Sequence, residues 1–143
     1  MPLAVSVTMQ VTQAQLVSLG SSPTGPIRLY WLRIMADIDR TAKRKLSNQM
    51  VHVRTGNLRS SQQMPVVSLR GAELLGVAQN IAAYAYFVHE GTRAHEVRPR
   101  KGKFLTGWTY KGAPVFTRVS HIPAQPGRPW LRESVIEVLA RSA

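Results

Sequence analysis

At 143 residues the chain has the length of one ordinary domain, and its 44% hydrophobic content supplies material for one core. Against 7 Asp and Glu stand 19 Lys and Arg, a net charge of +12. The absence of cysteine excludes disulfide frameworks, thiol nucleophiles, iron–sulfur clusters and cysteine-containing zinc sites, and no apolar run approaches the ~18 residues of a membrane-spanning helix.

Residues 1–26 carry no charged side chain, so a secretory leader with its positive start is not expected and a soluble protein is. Val5, Val7, Met9 and Val11 alternate with Ser6, Thr8, Gln10 and Thr12, the period of a half-buried strand. Two uses fit this strand: a place in the domain's own sheet, or an arm added to a neighbouring subunit's sheet. Gly20 to Pro26 is a loop rich in breakers, and Pro26 suits the first turn of a helix. Ile27, Tyr30, Trp31, Ile34, Met35, Ile38, Ala42 and Leu46 then recur at spacings of three and four, which predicts one amphipathic helix of about 24 residues.

Thr55 to Ser61 breaks that pattern and turns the chain. Met64–Leu69 and Leu74–Ile81 are strand-like runs joined at Arg70-Gly71-Ala72, a hairpin pattern. Ala82–His89 is short and aromatic and reads as a buried helical turn or strand. Residues 93–103 form a basic loop containing Arg93, Arg98, Arg100, Lys101 and Lys103. Phe104–Tyr110 and Ala113–Val119 are strand candidates around Lys111-Gly112, a second hairpin. Pro123–Pro129 is stiff and extended, and Trp130, Leu131, Val135, Val138 and Leu139 mark a terminal helix. The expected fold is α+β in one domain over residues 1–143. A long N-terminal amphipathic helix and a short C-terminal helix pack on a small antiparallel sheet of hairpins.

Little here supports catalysis. His89, Glu90 and His95 cannot form the zincin pair, which needs histidines four apart on one helix. They read as two partly exposed polar histidines beside an acid. His89, Glu90 and Arg93 are residue types that cleave phosphodiesters, yet no phosphate loop, nucleophile elbow or carboxylate pair accompanies them. The basic loop suits phosphates, an acidic protein surface, or solvent alone.

Three phrases in order carry a family resemblance: Thr55-Gly56-Asn57-Leu58-Arg59-Ser60-Ser61, Tyr84 through His89-Glu90-Gly91-Thr92, and Gly127-Arg128-Pro129-Trp130-Leu131-Arg132-Glu133. Together they resemble the head–tail joining (neck, connector or tail-completion) proteins of long-tailed double-stranded DNA bacteriophages. The resemblance implies a structural virion protein, assembled in the host cytoplasm, without enzymatic activity, cofactor, metal or membrane contact. It implies a ring of copies, sixfold or twelvefold, at the head–tail junction. Its partners would be other connector and tail-terminator proteins, and DNA would pass through the ring without sequence-specific binding. The alternatives are a tail-terminator ring of the same virion and a basic nucleic-acid-binding module. The family-pattern residues are Thr55, Gly56, Leu58, Tyr84, Glu90, Gly91, Thr92, Arg128, Pro129 and Trp130. The basic loop is expected to point toward a partner ring, where it would dock on an acidic rim, or outward, and not to line the bore.

Overall fold

A computed structural model describes residues 3–10, 25–52, 56–70 and 73–143. The alternating N-terminal segment forms strand β1, Leu3–Gln10, and pairs antiparallel with the chain's own β3, Glu73–Asn80. Strand β2, Val66–Arg70, flanks β3 on its other side, so the sheet order is β1-β3-β2. Val5 and Val7 face Ala78 and Gly76 across the ladder. With Leu74 and Val67 they make the apolar face, as a period of two requires.

Helix α1, Pro26–Arg44, lies on that face and buries Trp31, Ile34, Met35, Ile38 and Ala42. It is shorter than its apolar spacing predicts. The helical path loosens over Lys45–Gln49, where Ser47 (φ −103°, ψ 57°) and the left-handed Asn48 (φ 69°) leave helical geometry. Leu46 still reaches the core from that turn, which is why the apolar spacing runs past the regular helix.

The terminal helix, Trp130–Ser142, also departs from expectation: it packs chiefly on α1 rather than on the sheet. Two short helices lie between, so it is α4; α2 is Asn57–Ser60 and α3 is Ala85–Glu90. Trp130, Leu131 and Val138 enter the same core as the α1 face. The two helices are clasped at one end by charge. Glu137 accepts from Arg44 (2.8 Å) and Lys45 (3.0 Å), with Arg141 at 3.4 Å. At the other end the Tyr30 hydroxyl donates to the Ser142 carbonyl (3.4 Å).

The second predicted hairpin forms but stays outside the main sheet. Strands β6, Leu105–Tyr110, and β7, Ala113–Thr117, pair only with each other among the described residues. Their turn, Lys111 (φ 51°) and Gly112 (φ 80°), has the doubly left-handed geometry that suits the strand twist. Below it, β5 (His95–Val97) pairs with β8 (Ser120–Ile122), so part of the basic loop is a short strand. A two-residue pairing joins β4 (Gly91–Thr92) to β9 (Gln125–Pro126). The result is a ribbon held by three short ladders in succession, with residues 98–104 forming an unpaired stretch between β5 and β6.

Candidate functional site

The three phrases of the sequence pattern meet around one cleft of about 710 Å³. The first phrase brings Gly56, Asn57, Leu58 and Arg59; the second brings Tyr84, Phe87, Val88 and Thr92. Gln125, Pro126 and Arg128 close the third side, and Leu46, Val51 and His52 complete the lining. Leu46, Val51 and Leu58 are buried, whereas Arg59 and Arg128 stand exposed. No acid is among the lining residues, so the cleft combines an apolar floor with a cationic rim. Thr55, the first residue of the pattern, lies outside the described residues.

Each phrase is held by contacts that explain its residue types. Gly56 (φ 72°) starts α2 from a left-handed conformation that a side chain would strain. The carbonyl of Leu58 then accepts from the Asn80 side chain at 2.7 Å, and Asn80 Nδ2 also reaches Gln62 Oε1 at 3.2 Å. Asn80 Oδ1 takes the Ala82 N–H at 3.0 Å, so this fully buried amide ties the first phrase to the lead-in of the second. A polar side chain buried this deeply persists because its partners replace water.

The second and third phrases interlock through their backbones. Gly91 (φ 86°) lies so close to the other strand that a Cβ there would stand 2.5 Å from the Gln125 carbonyl oxygen. A Cβ on Gly127 would stand 2.7 Å from the His89 carbonyl oxygen. Arg128 N–H donates to the Val88 carbonyl at 3.0 Å. Pro129 precedes the first residue of α4, and Trp130 behind it is fully buried.

His89 is buried, which corrects its reading as a partly exposed polar residue. Its ring meets Trp130 edge to face at 5.1 Å between centroids. Nδ1 lies 2.6 Å from Glu90 Oε1, and Nε2 accepts the Arg132 backbone N–H at 3.4 Å. Those two contacts call for the tautomer protonated on Nδ1. The His89 N–H, assisted by the Arg132 guanidinium at 2.9 Å, holds the Glu90 carboxyl below its ordinary value of 4.5. His95 is exposed and bonds the Arg93 carbonyl through Nδ1 at 3.0 Å. No group of three or more metal-ligating side chains occurs among the described residues. His89 and Glu90 thus serve the junction of α3 with α4, and both ring nitrogens of His89 are engaged within the chain.

The aromatic segment expected to be buried is largely exposed: Tyr84, Tyr86 and Phe87 all face outward, while Ala85 and His89 turn inward. With six residues in α3 and a buried residue every four, one side alone meets the core. The basic residues are spread rather than focused on the cleft. Arg93, Arg98, Arg100, Lys101 and Lys103 are all exposed along the base and side of the ribbon, and Arg98 alone of them has an ion-pair partner, Glu96 at 3.2 Å.

Sequence reasoning missed Asn80 and the Lys45–Glu137 clasp, and it quoted Gly127 in the third phrase without its role at the backbone crossing. A polar residue closing an apolar strand run was the available signal for Asn80. Lys45 opens the turn that follows α1, beside Leu46, yet is buried, its ammonium reaching Glu137. Compared with protein-family models, curated proteins and solved structures, the chain matches none.

Proposed function

We propose that this protein is a structural adaptor of a long-tailed bacteriophage, forming a ring at the head–tail junction and joining head to tail through its surfaces. The observation that carries the reading is the convergence of its three pattern phrases on one unit, with their glycines at backbone crossings and their aromatic and histidine residues in packing roles. A tail-terminator ring of the same particle draws on the same features. The distribution of side chains supports assembly over chemistry: the buried His89 and its partner Glu90 are spent on holding α4, and the exposed aromatics and cations are the groups left to meet other proteins. Interfaces favour aromatic side chains and arginine.

A ring built from identical copies needs two different faces on each subunit. The cleft with its aromatic lip supplies one, and the exposed side of α1 with Leu29, Tyr30 and Leu32 supplies another. Immunogold labelling of the encoding phage with antibody to this chain tests the placement. Label confined to the junction is expected; label along the tail tube or over the capsid, or no label on particles, overturns it.

The surplus positive charge favours one second reading, a nucleic-acid-binding module. That reading requires duplex affinity that survives physiological salt, because phosphate contacts alone lose affinity steeply as counterions compete.

A further inference from the structure

Among the described residues, none from Glu90 to Pro129 is buried. The ribbon therefore projects from the core, with every side chain described over that span at least partly in solvent. Over residues 98–118 it carries Arg98, Arg100, Lys101, Lys103, Lys111 and Arg118 and not one acid. It also exposes Phe104, Tyr110 and Phe116, the last two by 67% and 60%. An isolated two-stranded ribbon is marginal in water, and its outer edges present unpaired backbone groups.

Its two edges are unequal. Tyr110 and Ala113 flank the two-residue turn and face each other's hydrogen bonds, so Thr109 and Pro114 direct their backbone groups outward. Pro114 has no N–H to offer, which blunts the β7 edge. The β6 edge keeps the outward N–H of Thr109, within the regular stretch Trp108–Tyr110 that lies on the turn side of the irregularity between Leu105 and Trp108.

We propose that this ribbon is a docking arm whose β6 edge takes up an acidic strand of a different protein. The inference rests on the assembly reading for where that partner stands, and on the arm's own chemistry for what it is. Charge selects the occupant. A second copy has no carboxylate to spare: Asp37, Asp39, Glu90, Glu96, Glu133 and Glu137 are already in ion pairs, and Glu73 is also engaged. Nucleic acid is the weaker fit. Two of its three exposed rings already carry one of the chain's own cations on a face, Arg118 over Phe104 at 5.7 Å and Lys111 over Tyr110 at 5.5 Å, which leaves Phe116 as the one ring without such a contact. Duplex phosphates also make no use of an open strand edge. A strand with alternating carboxylates satisfies both features at once: its backbone pairs with β6 and its acids meet the flanking cations.

The test titrates the full-length chain at physiological salt with three probes of equal negative charge: a peptide alternating Glu and Val, poly-L-glutamate, and a DNA duplex. The alternating peptide is expected to bind at least about tenfold tighter than poly-L-glutamate, since it alone adds strand pairing to charge. Thr109→Pro, which removes the outward N–H, abolishes that preference, and Pro114→Ala leaves it intact. Lys101→Gln with Lys103→Gln weakens both acidic polymers alike while keeping the preference. Hydrogen exchange reports the same event independently, as slowed exchange at Thr109 on adding the peptide. Equal affinity for the two acidic polymers, an unaffected Thr109→Pro variant of native core stability, or tightest binding to the duplex each overturns the proposal. Such a failure with heads and tails still dependent on the chain sinks the arm and spares the adaptor reading; the converse sinks the adaptor reading alone.

Discussion

The sulfur of Met35 lies directly over the backbone of Gly76, where a Cβ would stand 2.5 Å from it. This contact sets the distance between α1 and the central strand, because β3 offers no side chain at the point where the helix crosses it. Gly76→Ala is expected to destabilise by about 1–3 kcal/mol through overpacking, and Met35→Ala by about 2–5 kcal/mol through the cavity it leaves. In the double variant the new methyl enters the vacated space, so the combined loss falls short of the sum. Urea unfolding of the four proteins checks the coupling; strict additivity would show that the two residues do not share this space.

Gly91 and Gly127 form the crossing that joins the second phrase to the third. Gly91→Ala meets both a left-handed backbone and the Gln125 carbonyl, and Gly127→Ala meets the backbone of His89 and Glu90. Each is expected to cost on the order of 1–3 kcal/mol. Because the same crossing seats Trp130, both should also raise the quenching of tryptophan fluorescence by iodide. Unchanged stability in both variants would contradict the arrangement.

Glu90 and Glu137 give the protein an acid limb with a definite sign. The His89 N–H lowers the first carboxyl and the Lys45 ammonium lowers the second, with Arg44 and Arg141 adding to it. A depressed carboxyl contributes stability that is present above its unfolded value near 4.5 and is lost as pH falls through the lower folded value. Stability should therefore decline below about pH 4.5, and Glu90→Gln with Glu137→Gln should flatten that decline. Chemical denaturation between pH 3 and 7 (roughly the span of carboxylate titration) measures it. An equally steep decline in the double variant would place the responsible carboxyls elsewhere.

Among the ribbon residues whose burial is described none is buried, so its removal should leave the core intact. Replacing residues 104–118 with a short Gly-Ser linker is expected to move the thermal midpoint by less than about 4 °C, under ~1 kcal/mol for a domain of this size. A collapse in stability would mean that the ribbon supports the fold.

Much of the architecture is legible in the sequence where a single element carries its own period. The face of α1 follows from spacings of three and four, β1 from strict alternation, and the outer hairpin from Lys111-Gly112 between two β-branched and aromatic runs. Contacts between distant segments are not legible in the same way. The period of α4 says that one face is covered, yet nothing in it says that α1 rather than the sheet covers it. Gly91 and Gly127 are 36 positions apart and explain each other only once their backbones touch. The helix end at Arg44 carries no Gly or Pro to announce it, because Asn48 supplies the left-handed turn. His89 looked available for chemistry because its burial depends on Trp130, a residue 41 positions further on.

The measurement that bears most directly on the adaptor role is electron microscopy of particles made by the encoding phage with this reading frame interrupted. Filled heads and completed tails lying apart, rejoined when the intact protein is supplied, are the expected result. Joined, infectious particles formed without the protein would contradict it.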